Sequence, residues 1–141
     1  MSAASIIHSR ISKGFWLAGA YNVGGVLSFS QFFQNDLLFS NDPLVFSWVG
    51  LAAIMLWGLA YAAVAQSYRA VPYLVLLFFL EKMLYVVTWL LWLAEHGERW
   101  PELFVLSPLT AVFFAVYGAG DLFFGLFFLW VGVGTLRGTL K

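Results

Sequence analysis

Apolar residues gather along this chain in four runs, each about as long as a bilayer is thick. They cover Gly14 to Phe33 (GFWLAGAYNVGGVLSFSQFF), Leu44 to Ala65, Pro72 to Ala94 and Pro108 to Leu136. At ~1.5 Å rise per residue, about twenty helical residues cross a hydrocarbon core ~30 Å thick. The pattern predicts an all-α fold: a four-transmembrane-helix antiparallel bundle forming one polytopic membrane domain over residues 1–141. Short connections make consecutive spans antiparallel neighbours.

The punctuation between the runs fits. Gln34–Pro43 (QNDLLFSNDP) is rich in turn-forming residues, and Gln66–Val71 is a tight connection. Pro72 and Pro108 stand where first helical residues belong, their fixed φ being suited to that position. Glu95–Ser107 (EHGERWPELFVLS) is the longest loop and the only strongly charged one. Residues 1–13 make a polar, basic lead. The apolar run behind them extends past any signal-peptide cleavage point, so it reads as a span. The fourth run is long enough to tilt or to project from the membrane. No internal repeat is visible.

Composition decides the solvent. With 62% hydrophobic and 10% charged residues, against roughly 25% charged in a soluble domain, these side chains cannot build a water-facing surface. The expected surroundings are lipid. Zero formal net charge excludes a general attraction to nucleic acid. The absence of cysteine excludes disulfides, thiol catalysis and Cys-ligated metals.

The placement of charge gives a direction. With the N-terminus inside, cytoplasmic segments carry Arg10, Lys13, Arg69, Arg137 and Lys141, and the other side carries only Arg99. By the positive-inside rule both termini are cytoplasmic (N-in/C-in) in a bacterial-type inner membrane. Trp16, Tyr68, Tyr73 and Trp130 fall toward the inner interface, and Trp48, Trp92 and Trp100 toward the outer one, as aromatic belts do.

Three ionisable residues interrupt the apolar pattern: Glu81 and Lys82 near the centre of the third span, and Asp121 near the centre of the fourth. Each costs about 2.5–3.5 kcal/mol at the bilayer centre unless it faces protein or water. Antiparallel packing sets all three at similar depth, and the simplest arrangement pairs Lys82 with Asp121. Glu81 then holds a proton or finds another donor. Tyr85 shares the face of Glu81 and Lys82, Thr88 continues it, and Tyr117 lies one turn before Asp121. Asn22 in the first span and Tyr61 in the second complete the slab. The candidate ligand, ion or proton pathway is therefore Glu81, Lys82, Asp121, Tyr85, Asn22, Tyr117 and Tyr61, with Glu81 or Asp121 as the titrating group. The competing reading is polar glue between helices, worth about 0.6 kcal/mol per contact on average.

Small residues form two stripes: Ala111, Gly118, Gly125 and Gly132 in the fourth span, and Gly14, Ala18 and Gly25 beside Asn22 in the first. Both read as packing seams. Ser28, Ser30, Gln31 and Asn35 leave a polar trail at the outer end of the first span. His8 and His96 lie near opposite ends of the topology and cannot share a metal, and the acidic residues around His96 read as a solvated loop. No phosphate loop, HExxH, GxSxG or CxxC occurs. Neither a metal nor a cofactor is expected.

Three functions compete. The leading one is a small membrane protein that binds or transports a small solute or ions, as a homo-oligomer because four helices enclose little volume. The second is an accessory or assembly subunit that docks another membrane protein. The third is a membrane-embedded enzyme or binder of a lipid or isoprenoid, with Glu81 or Asp121 as acid or base and Tyr85 or Tyr117 as auxiliary donor. A hydrated passage favours the first. An apolar pocket that opens sideways and ends at Glu81 or Asp121 favours the third, and a dry, fully paired cluster speaks against both.

Overall fold

A computed structural model describes residues 3–140. Among them the chain forms helices and connecting turns, with no strand. Four long helices carry the architecture: α1 (Ala3–Phe29), α3 (Trp48–Val64), α4 (Pro72–His96) and α6 (Pro108–Leu136). Two short ones lie in the connections, α2 (Asp36–Asn41) and α5 (Trp100–Leu106). The Pro72–Leu106 stretch and α6 are long and apolar enough to cross a membrane by length and composition, while α3, equally apolar, has only 17 residues.

Contacts at successive levels fix the directions. Ser12 meets Gln66, and Asn22 meets the Ile54 carbonyl, so α1 and α3 run antiparallel. Trp89 Nε1 donates to the Phe114 carbonyl at 2.9 Å, Lys82 meets Asp121, and Gly132 lies under Leu76, so α4 and α6 are also antiparallel. The seam read from Gly118, Gly125 and Gly132 lies inside the chain. The Trp89 ring covers Gly118, Met83 and Lys82 cover Gly125, and Leu76 covers Gly132. In α1, Gly14 lies under the Phe127 ring of α6, and the close backbone contact with α3 is made by Gly19, where an added Cβ would stand 2.7 Å from the Gly58 carbonyl oxygen.

Two apolar clusters fill the bundle. One gathers Phe15, Tyr61, Val64, Val75, Phe78 and Phe128; the other gathers Val26, Phe46, Leu51, Trp92, Ala111 and Phe114. Asn22, Glu81, Lys82 and Asp121 fall between them on every helix they belong to. Outside, Leu56, Leu59, Leu80, Leu84, Phe123 and Leu126 are exposed. Charge inside and leucine outside inverts the arrangement of a water-soluble protein.

Several boundaries differ from the sequence reading, each for a local reason. The lead begins helical, and α1 runs unbroken from Ala3. It stops at Phe29, short of Phe33, because Gln31, Phe32 and Phe33 adopt positive φ (50°, 55° and 67°). Left-handed backbone costs roughly 1–2 kcal/mol per non-glycine residue. Hydrogen bonds hold it here: Phe33 N–H donates to Ser30 Oγ, and Asn35 Nδ2 donates to the Phe29 carbonyl and to Thr110 Oγ1. The polar trail is thus the cap of α1. The second long helix starts at Trp48, after Leu44, because the Ser47 side chain caps it by accepting from Gly50 N–H at 3.1 Å. The charged loop is mostly helical. Pro101 is tolerated in the first turn of α5, Leu103 is buried, and Trp100 Nε1 donates to the Ala111 carbonyl.

Two aromatics assigned to the belts turn inward. Tyr68 is buried against His8 and Phe15, and Trp92 stacks on Phe114. Trp16, Trp48, Tyr73 and Trp130 are exposed. Lys141, counted for the orientation, lies outside the described residues.

Candidate functional site

Lys82 organises the polar layer. It is 1% exposed, and its Nζ lies 2.5 Å from Asp121 Oδ1 and 2.7 Å from Asn22 Oδ1. The rings of Tyr21 and Tyr61 stand 5.4 and 5.3 Å from the same nitrogen, in reach of a cation–π attraction. The expected pair is therefore present, and it brings together α1, α3, α4 and α6. Burying an ion pair is unfavourable unless further polar atoms complete it. Asn22 does so from both ends: its Nδ2 donates to the Ile54 carbonyl at 2.9 Å while its Oδ1 accepts from Lys82.

Glu81, adjacent in sequence, is served differently. It is 7% exposed and its Oε2 accepts from the Tyr61 hydroxyl. Its Oε1 has no hydrogen-bond partner, and neither does the Tyr117 hydroxyl. Of the two alternatives left for Glu81, a held proton or a further donor, a donor is present in Tyr61, a neutral phenol. The layer is therefore unevenly satisfied: Lys82 has two acceptors and two aromatic faces, whereas Glu81 Oε1 has no partner.

Above this layer lies a cavity of about 350 Å³. Glu81, Lys82, Asp121, Tyr85 and Tyr117 all line it, while carbon makes up nearly all of its wall, including Phe29, Phe46, Ile54 and Phe113. Val116 and Ala119, exposed on α6, and Gly25 and Phe29, half-buried on α1, also belong to the lining. The cavity thus reaches the bundle surface sideways, between α1 and α6. Those two helices are latched below the mouth, where Tyr21 lies over Gly120 and its hydroxyl donates to the Tyr117 carbonyl at 2.7 Å.

Of the seven residues singled out from sequence, five share one polar layer as two bonded groups, Lys82 with Asp121 and Asn22, and Glu81 with Tyr61, which meet where the Tyr61 ring stands beside Lys82 Nζ. Tyr85 and Tyr117 stand in the cavity wall. Thr88 lies outside the cavity wall, beside Tyr117, with its hydroxyl donating to the Tyr85 carbonyl within α4. Tyr21 went unnoticed, although it lies three residues after Ala18 and four before Gly25, on the face of the small-residue stripe. Elsewhere, His8 Nδ1 lies 3.3 Å from the Tyr68 hydroxyl, and His96 stacks on Trp92. No group of three potential metal ligands comes together among the described residues.

Chemically, the layer offers a fixed cation already shared by two acceptors, one carboxylate with an unused oxygen, and one phenol with an unused hydroxyl. Such a floor beneath an apolar chamber suits an amphipathic molecule, with its polar end down. Fold and site together define a helical bundle with a side-opening apolar cavity floored by a buried ion pair. Comparison with family models, with curated proteins and with solved structures finds no match.

Proposed function

We propose that this chain is a four-span membrane protein, both termini cytoplasmic, that takes an amphipathic small molecule from the bilayer into the cavity between α1 and α6. The observation that carries this reading is the cavity itself, which is apolar, open at the side of the bundle and ends at Glu81, Lys82 and Asp121. A cavity with a few convergent polar groups is the general form of a small-molecule site. Its mouth lies between the apolar outer faces of α1 and α6 at Gly25, Val116 and Ala119, below the Phe29–Phe113 ring contact, so a molecule dissolved in lipid reaches it without crossing water. Transport of a small solute or ions draws on the same cluster, but needs a path to both membrane faces. The size limit that motivated a homo-oligomer is eased, because one chain already encloses the space.

Orientation is tested with single cysteines, since the chain has none. Ser67→Cys, in the α3–α4 connection, and Glu98→Cys, between α4 and α5, both replace exposed residues. In intact cells a membrane-impermeant maleimide is expected to label Glu98→Cys and to reach Ser67→Cys only after lysis. The reverse pattern would invert the topology, and equal labelling at both would sink the span assignment.

Occupancy is tested at Gly25. A Cβ there meets nothing within 4 Å, and the residue lines the cavity. Gly25→Leu therefore puts a side chain into the chamber from a position where its Cβ meets no neighbour. Replacing a helical glycine also adds roughly 1 kcal/mol of helix preference. The variant is expected to unfold at the same or a higher temperature and to lose the amphipathic molecules that co-purify with wild type in nanodiscs, read by extraction and mass spectrometry. Equal occupancy in both proteins would overturn the proposal.

A further inference from the structure

The charges around the cavity do not balance, and the imbalance specifies the ligand. Three ionisable side chains meet at the floor: the carboxylates of Glu81 and Asp121 and the ammonium of Lys82. Lys82 is committed to Asp121 and Asn22. Glu81 receives only the neutral Tyr61 hydroxyl, and its Oε1 is left without a partner in a residue that is 7% exposed. With all three groups ionised the floor carries one uncompensated negative charge. A buried charge is tolerated when it is paired and hydrogen-bonded, and no other cationic side chain lines the cavity.

The walls point the same way. Tyr85, one turn from Glu81 on α4, and Phe113 and Tyr117, one to two turns farther up on α6, line the chamber. Aromatic faces attract a cation, most strongly where water is excluded. The Tyr21 and Tyr61 rings already do this for Lys82. An anionic head would instead meet two carboxylates. Its one cation, Lys82, would have to leave Asp121 to serve it.

We infer that the cavity selects a lipophilic monocation: an amine-bearing amphiphile whose nitrogen pairs with Glu81 beside the Tyr85 ring, and whose hydrocarbon body fills the space toward Phe46 and Phe113. This deepens the proposed function and rests on it. The protonated amine supplies the donor that Glu81 Oε1 lacks and neutralises the floor. Lys82–Asp121 then acts as a positioning pair that keeps the lysine away from the incoming nitrogen.

Three probes with the same chain separate charge from hydrophobicity: dodecylamine, dodecanol and dodecanoate, each titrated against the full-length protein in zwitterionic nanodiscs. Binding is the signal that the Gly25→Leu variant, with its cavity obstructed, lacks. Dodecylamine is expected to bind about 30-fold more tightly than dodecanol, the scale of one charge-assisted hydrogen bond, and dodecanoate is expected to bind least. Glu81→Gln keeps an acceptor for Tyr61 and removes the charge. It should lose the amine preference while still binding dodecanol, which also shows that the variant is folded. If Glu81→Gln binds neither probe, the wild-type ranking alone decides. Dodecanol binding as tightly as dodecylamine in wild type, or an undiminished amine preference in Glu81→Gln, would overturn the inference and leave the cavity reading standing. No difference between wild type and Gly25→Leu for any probe would overturn that reading itself.

Discussion

Replacing Lys82 with methionine is expected to destabilise the protein by about 3–5 kcal/mol, the cost of leaving a buried partner charge uncompensated. Lys82 Nζ lies 2.5 Å from Asp121 Oδ1, and the two residues are only 1% and 6% exposed. Methionine fills a similar volume, so packing against Gly125 is largely kept and the loss is electrostatic. Asp121 then has no cation, and Asn22 Oδ1 loses its donor. Asp121→Leu should cost somewhat less, because Lys82 retains Asn22 and has Glu81 beside it. The double variant Lys82→Met/Asp121→Leu is expected to be more stable than either single one, since an apolar pair asks for no partner. Reversible unfolding in bicelles measures all four corners of this cycle. Single variants within about 1 kcal/mol of wild type, as for exposed pairs, would mean that water reaches the pair and that the layer is not dry.

The second large effect is expected at Gly58. An added Cβ there would stand 2.8 Å from Asn22 Cβ, 3.0 Å from the Gly19 carbonyl oxygen and 3.2 Å from Val23 Cγ2. Backbone cannot step aside as a side chain can, so Gly58→Val must push α1 away from α3. Overpacking of this kind costs typically 1–3 kcal/mol. The displacement also pulls Asn22 off the Ile54 carbonyl and away from Lys82, each a further bond worth about 1 kcal/mol. A total near 3 kcal/mol is expected, with weakened ligand retention, because Asn22 and Ile54 both line the cavity. Gly24→Ala is the control: nothing lies within 4 Å of its Cβ, and it should be neutral or gain up to roughly 1 kcal/mol of helix preference. Gly58→Val as stable as Gly24→Ala would rule out close helix contact at that point.

Together these two variants separate the supports of the site. The ion pair ties α4 to α6, and the glycine contact ties α1 to α3. Asn22 is shared, which is why a packing defect at Gly58 is felt at Lys82. Between the halves, α1 meets α6 through Tyr21 over Gly120 and leaves the gap that opens the cavity.

Much of the candidate site was legible because charge in an apolar run is conspicuous. Glu81, Lys82 and Asp121 stood out against their neighbours, and antiparallel geometry alone set Lys82 opposite Asp121. Asn22 and Tyr61 were legible as polar exceptions at the same depth. Tyr21 was not, since tyrosine in a membrane helix has many uses and its contact with Tyr117 depends on how α1 rotates against α6. The short helices were hidden too. Glu95–Ser107 read as a charged loop, although Pro101 fits the first turn of α5.

By itself the sequence determined that the chain is helical and apolar, that its charges must be paired and that small residues mark close approaches. These follow from local composition and from 3.6-residue periodicity, which any fold of the chain must respect. Tertiary structure alone decided three things: that the α6 seam serves α4, that Gly19 and Gly58 rather than Gly14 and Gly25 bring α1 and α3 together, and that Gln31–Phe33 turns left-handed. The left-handed turn costs energy locally and is held by Ser30, Asn35 and Thr110, partners up to 75 residues apart. The cavity belongs with these. It is the space left where α1 and α6 do not close, and no run of residues encodes a space.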